Sequence, residues 1–159
     1  MRQPNNRLSA TRLNFEALEE RCTPATGFAL LADNSLVQFE PRNPNRTLDP
    51  VAITGLTAGD NLVGIDIRPQ NGMMYGLGYN DVAGSVTLYN ISPRTGVATA
   101  ITPSTPNQFV DGTNQPVRVG VDAGTAFGFD FNPVADRVRV VTSNGQNFGQ
   151  VQPRVTDLQ

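Results

Sequence analysis

From Gly27 onward, large apolar residues alternate with small or polar ones, and clusters of Gly, Pro, Asn and Asp cut the alternation into short runs. Val63, Ile65 and Ile67 alternate with Leu62, Gly64 and Asp66, and Arg68-Pro69-Gln70-Asn71-Gly72 then turns into Met73–Gly78. Sixty-four residues later Phe127, Phe129 and Phe131 alternate with Ala126, Gly128 and Asp130, and Asn132-Pro133 opens a turn into Arg137–Thr142. Alternation of period two marks a strand with one apolar face, and it gathers Gly and Asp on the other face. Pro followed by polar residues and Gly or Asp suits a type I-like hairpin turn. The repeated structural positions are therefore Gly64, Asp66 and Pro69 in one copy and Gly128, Asp130 and Pro133 in the next.

A second element repeats beside the first. SLVQFEP (Ser35–Pro41) aligns with TLYNISP (Thr87–Pro93), so that Val37 and Phe39 match Tyr89 and Ile91, and NFGQVQP (Asn147–Pro153) is a weaker third copy. The expected order is a strand ending in Pro, an apolar strand, the G-x-D-x-x-P strand and its hairpin partner, after which the cycle starts again. Four short strands per cycle of about 50–65 residues is how a propeller blade reads in sequence. The expected fold class is all-β, a β-propeller-like repeat of four-stranded antiparallel units. Nine candidate strands make about two blades, a partial propeller, because closed propellers have about 4–8. A truncated product of a longer gene is the favoured explanation of that shortage. Self-association of an incomplete propeller and an open pair of sheets are the others.

Residues 1–26 have another character. They begin with polar residues and Arg, then read TRLNFEALEERCTPA from Thr11 to Ala25. Thr11 suits the N-cap of a short helix in which Leu13, Ala17 and Leu18 share a face, and Pro24 stops it. About ten residues is marginal for an isolated helix in water. Residues 1–26 therefore read as a leader, flexible or briefly helical, and residues 27–159 as the domain.

The string RLNFEALEERCTPA resembles the short N-terminal motif of planctomycete extracellular proteins, which Phe15, Glu16, Leu18, Glu19, Arg21, Pro24 and Ala25 fit. That resemblance implies an extracellular or cell-envelope location. Cys22 falls at a variable position of the motif with no lipobox before it, and reads as an incidental free thiol. Within the domain, ALLADNSLVQFEP (Ala29–Pro41), LVGIDIRPQNGMMYGLG (Leu62–Gly78) and TAFGFDFNPVADRVRVVTSNGQN (Thr125–Asn147) resemble, collinearly, the family catalogued as domain of unknown function 4394. The resemblance implies an architecture and an exported setting, and no mechanism. After Asn147 the text FGQVQPRVTDLQ departs from the family pattern, which also supports C-terminal truncation.

Composition narrows the chemistry. The 159 residues carry a net charge of -2, so nucleic acid is not an expected partner, and the exported setting that the resemblance implies makes an unknown extracellular ligand, protein or glycan, the expected one. No apolar run approaches the roughly 20 residues of a transmembrane helix. The chain has no His, no Trp and no Lys, and Cys22 is its one thiol. Ser–His triads, Lys Schiff bases and His-ligated zinc are thereby excluded. Carboxylate chemistry stays open, and oxygen-ligated Ca²⁺ is the one cofactor left open. Asp66 and Asp130 are the weak metal candidates. Their leading role is structural, because a carboxylate on a crowded face needs donors from a neighbouring turn or an Arg. Arg137 and Arg139 share one strand face and are expected to pair with Asp136, Asp130 or another acid. Asp60-Asn61, Asn80-Asp81 and Asp111-Gly112 read as turns, and Thr102–Gly124 as the longest loop. The function expected is a non-catalytic binding or surface-architecture module. The alternative is an exported carboxylate-dependent hydrolase or lyase whose active site a missing C-terminal part completes.

Overall fold

A computed structural model describes residues 26–101, 119 and 124–151. Strands β1 (Gly27–Leu30), β2 (Ser35–Glu40), β3 (Asn43–Thr47) and β4 (Val51–Ala52) form a first sheet. Strands β5 (Asn61–Ile67), β6 (Met74–Asn80), β7 (Ser85–Ile91) and β8 (Ala98–Ala100) form a second. The third holds β9 (Phe127–Asn132), β10 (Arg137–Thr142) and β11 (Asn147–Val151). All strand pairings within the sheets are antiparallel. Among the described residues there is no helix, and so none long and apolar enough to cross a membrane. The leader and most of Thr102–Gly124 lie outside the described residues.

The all-β antiparallel class is as expected, but the strands are grouped differently from the sequence reading. They gather into three sheets rather than about two units, and the four-stranded unit is seen without interruption in β5–β8. The G-x-D strand opens that unit instead of standing third in it. The turn at Arg68–Met73 joins β5 to β6, and the turn at Ser92–Val97 joins β7 to β8, both closed by backbone hydrogen bonds of 2.9–3.0 Å. The longer run from β4 to β5 is the step between sheets.

The second sheet is the middle layer. On one side Leu62, Met74, Tyr89, Ile91 and Ala98 close on Leu36 and Ile53, with Phe28 and Leu30 packed against them. On the other side Tyr75 and Leu77 close on Phe131, Val138 and Val140, joined by Val119. Strand β6 serves both cores by alternation. Gly76 and Gly78 share the face of Met74, and their missing side chains make a floor for Tyr89 and Ile91. A Cβ on Gly76 would lie 2.5 Å from Ile91 Cδ1, and one on Gly78 would lie 2.6 Å from Tyr89 Cε2. Tyr75 and Tyr89, one in each core, are both 0% exposed.

A register shift between Leu62 and Gly64 changes the expected facing of β5. One extra residue in a strand moves whatever precedes it to the other face. Leu62 therefore joins Ile65 in the first core, and Val63 packs in the second, away from Ile65. In β9 the alternation holds, and Phe127, Phe129 and Phe131 all turn toward the middle sheet. Tyr75 meets Phe131 with ring centroids 5.1 Å apart, and Tyr79 meets Phe127 at 4.7 Å, both within the favourable range for aromatic pairs.

The junction of β5 with β9 is tight enough that a Cβ on Gly64 would stand 2.8 Å from Phe129 Cβ. Phe129 Cβ is fixed to its backbone, so the sheets themselves would have to separate. Gly64→Ala is expected to cost about 1–3 kcal/mol in urea unfolding. Gly128→Ala, at the same repeat position, meets only the tip of the exposed Val141 side chain and is expected to cost less than half as much. Equal losses would mean that Gly64 has no special part in the junction.

Candidate functional site

Of the polar residues singled out by the repeat, Asp66 lies on the seam between the second and third sheets and Asp130 does not. Asp66 lies at the β9 side of β5, where Oδ2 accepts the backbone N–H of Phe131 at 2.7 Å and Oδ1 accepts that of Ile67 at 2.8 Å. Both carboxylate oxygens are thus held by main-chain donors, and one bond crosses from sheet to sheet. Asp130 occupies the same repeat position with another outcome. It is exposed on the far face of β9, opposite Arg139 in register, and makes no hydrogen bond or ion pair among the described residues.

Pro69 and Pro133 begin matching turns. In the first, the N–H of Gly72 donates to Arg68 O at 2.9 Å, and in the second that of Asp136 donates to Asn132 O at 2.9 Å. Asn132 Oδ1 also accepts the N–H groups of Val134 and Ala135, each at 2.9 Å. Gly72 (φ 69°) and Asp136 (φ 50°) fill the same left-handed position. Asp is among the few side-chain-bearing residues that tolerate that backbone, because its short polar group bonds locally.

Arg68, the first residue of one turn, reaches the last residue of the other. Its Nε donates to Asp136 Oδ1 at 2.7 Å, and Nη2 donates to Asp136 Oδ2 and to Gln70 Oε1. The Arg68 side chain is 4% exposed and that of Asp136 is 24% exposed. A planar guanidinium fits a carboxylate with two parallel bonds, which fixes orientation as well as charge. The hydrogen bond from Arg68 holds the Asp136 carboxyl below its ordinary range, and the same bond raises Arg68 further still. The expectation was that Arg137 and Arg139 pair with Asp136, Asp130 or another acid. The Asp136 carboxylate is turned toward the neighbouring sheet instead, and Arg139 Nε donates to Asn147 Oδ1 at 3.3 Å.

A second polar cluster ties the connection between β4 and β5 to the second sheet, and sequence reasoning missed it. The Tyr89 hydroxyl donates to Asp60 Oδ2 at 2.6 Å and accepts the N–H of Thr57 at 2.9 Å. Asp60 is 8% exposed, and burial is the main cause that pushes the Tyr89 phenol above its ordinary range. Asp60-Asn61 reads as a turn in sequence; the available signal was Gly78, whose bare backbone admits Tyr89 and Asp60 together. Nearby, Asn34 (φ 58°) accepts the N–H of Leu62 at 2.8 Å. Asp33 is held low by the hydroxyl and N–H of Ser35.

Asp33, Asp66 and Asp136 are thus engaged by donors of the fold itself, and Asp60 is engaged and enclosed. Among the described residues no three His, Cys, Asp or Glu side chains gather into a group that could hold a metal ion. The geometry of the site is that of a joint between sheets.

Asp66→Ala leaves the Phe131 N–H without its acceptor and is expected to cost about 1–3 kcal/mol. Asp130→Ala is expected to stay within about 0.5 kcal/mol. Asp136→Asn keeps the left-handed backbone but removes the charge and one of the two acceptor oxygens that face a buried guanidinium. Its expected cost is about 2–3 kcal/mol, below the roughly 3–5 for a fully buried pair because Asp136 touches water. A depressed carboxyl contributes stability above its unfolded value and loses it as pH falls through the folded value. The wild-type protein should therefore lose stability more steeply than Asp136→Asn below about pH 4, which urea midpoints from pH 2 to 7 would read. Parallel curves would remove the ion pair from the account.

Comparison with the curated proteins returns no match, and comparison with the solved structures returns none. The family model described as Domain of unknown function (DUF4394) matches residues 35–157, a span that holds every strand from β2 to β11 and both turns of the joint. Covering well over half of the chain, that match makes this protein a member of the DUF4394 family.

Proposed function

We propose that the chain is an exported, non-catalytic, β-propeller-like module used for binding or for cell-surface architecture, with an extracellular protein or glycan as its partner. The observation that carries the reading is the use made of Asp66. The best-placed repeated carboxylate is bonded through both oxygens to backbone N–H groups, one of them across the sheet seam. A general base or nucleophile needs a lone pair aimed at substrate, and each Asp66 oxygen is instead oriented by a main-chain donor of the fold.

The blade reading is supported by the packing of consecutive sheets face to face, with the opening strand β5 of one against the opening strand β9 of the next. Export is supported by the resemblance of Phe15–Ala25 to an extracellular leader motif. Such a module presents loops from stiff sheets, and these loops are where binding surfaces arise when a scaffold fixes their bases.

Purified full-length protein incubated with a panel of polysaccharides and esters is expected to release no product above a protein-free blank. Turnover that disappears in Asp130→Asn, an exposed change that spares the core, would overturn the non-catalytic reading and favour a carboxylate hydrolase or lyase. In the native cell the chain is expected in the medium or envelope fraction, and a cytoplasmic pool alone would overturn export. A chelator is expected to leave Tm unchanged within about 1 °C. A drop of several degrees restored by Ca²⁺ would assign a structural metal instead, since a ligand bound only to the folded state raises stability by mass action.

A further inference from the structure

The three sheets stack with one polarity. In the middle sheet one face, here the front, carries Met74, Tyr89 and Ile91 and rests on the first sheet's Leu36, Phe28 and Leu30. The opposite face, the back, carries Gly64, Asp66, Tyr75 and Leu77 and receives the third sheet's Phe129, Phe131 and Val138. The repeat relates these faces. Val37 and Phe39 match Tyr89 and Ile91, and their cross-strand partners Ala29 and Gly27 match Gly76 and Met74. Phe28 and Leu30 then match Tyr75 and Leu77. In the third sheet Gly128, Asp130, Arg139 and Val141 match Gly64, Asp66, Tyr75 and Leu77. Both contacts inside the molecule are therefore a front resting on a back.

Among the described residues one front and one back have no sheet resting on them. The front of the first sheet shows Gly27, Ala29, Val37 and Phe39, on the side of β1 and β2 turned away from the first core. The back of the third sheet shows Gly128, Asp130, Arg139 and Val141, with Asp130 and Arg139 exposed and Val141 38% exposed. We propose that a second copy of this chain seats its open front on this open back, continuing the internal stack from one molecule to the next.

The two faces suit each other at their centre. Val141 stands where Leu77 stands in the internal contact, and Val37 stands where Tyr89 does, so an apolar pair meets at the centre. A Cβ on Gly27 would lie 2.5 Å from a ring carbon of Phe39, so that ring lies across the β1 backbone as an aromatic plate. Arg139, in the place of Tyr75, brings a guanidinium on an apolar stem to that plate, a favourable cation–π pairing. Asp130 repeats the position from which Asp66 takes an N–H of an edge strand. By the repeat β1 matches β6 rather than β9, so no described strand of the seated copy lies where β9 lies against Asp66, and Asp130 stays at the rim of the contact. A front-on-back contact is heterologous, so each added copy exposes a new front and a new back, and growth continues until a ring closes.

Sedimentation velocity on the purified full chain tests this, with two variants that place a charge on one open face each. Val37→Glu disables the front and Val141→Glu disables the back. Thermal melting should leave both folded, because neither residue belongs to a buried core. Wild type is expected to gain mass with concentration beyond a dimer. Each variant alone is expected to sediment as a monomer, with self-affinity reduced about tenfold or more. An equal mixture of the two is expected to form a dimer and stop there, since only one intact front and one intact back remain. Wild type that stays monomeric would overturn the proposal, and so would wild type that stops at a symmetric dimer or a mixture that stays monomeric. The proposal goes beyond the binding or architectural reading, and its readout is mass, whereas that reading is tested by product release and location.

Discussion

Where β5 meets β9, the N–H of Phe131 points out of its own sheet, and Asp66 takes it at 2.7 Å. An edge strand pressed against an apolar neighbour otherwise leaves such groups without partners, at a cost of about 1–3 kcal/mol each. Asp66 removes that penalty at the point of closest approach, and Gly64 permits the approach by having no Cβ to strike Phe129. A few residues on, Arg68 and Asp136 close the same seam at its turn end. With both held, Phe131, Val138 and Val140 can complete the second core over Tyr75 and Leu77. The middle sheet could not otherwise be apolar on two sides, since an antiparallel sheet with one bare face must keep that face polar.

Much of this was legible in the chain, for definite reasons. Side-chain period announces strands, and the paired GIDIRP and GFDFNP strings announce equivalent strands, so the antiparallel class and the repeat positions could be read directly. Where one sheet ends and the next begins could not. Strand order in a repeat is cyclic, and the text does not say which strand opens a sheet. Only the closed turn at Arg68–Met73 and the longer passage from Ala52 to Asn61 decide it. The facing of Val63 was hidden by a bulge, because a single inserted residue leaves no mark on composition. The partner of Asp136 was hidden by distance. Arg137 is adjacent in sequence, but the left-handed backbone at Asp136 turns its carboxylate toward Arg68, 68 residues away. The equivalence of Gly72 and Asp136 was the available clue, since both occupy a position that most side chains avoid.

The two copies of the repeat have diverged along a clear line. The copy whose back face is covered uses Tyr75 and Leu77 there, while the copy whose back face is open uses Arg139 and Val141. Asp66 has become a structural acceptor and Asp130 has kept the position without the bond. The difference follows the packing, because the engaged carboxylate is the one inside the stack.

The open back face also differs from the covered one in its second clamp. Asn132 replaces Arg68 as the first turn residue, and its side chain is already taken by Val134 and Ala135. A copy seated there brings no described strand to the Asp130 acceptor in the place of β9, and it finds no guanidinium reaching out to its turn. The contact between molecules therefore lacks both polar clamps of the contact within the chain. It must also meet the loss of translational and rotational freedom, about 4–15 kcal/mol, that the covalent link spares the internal sheets. Stacking between copies is accordingly weaker than stacking within one, so association through this face is reversible and set by concentration rather than built into the fold.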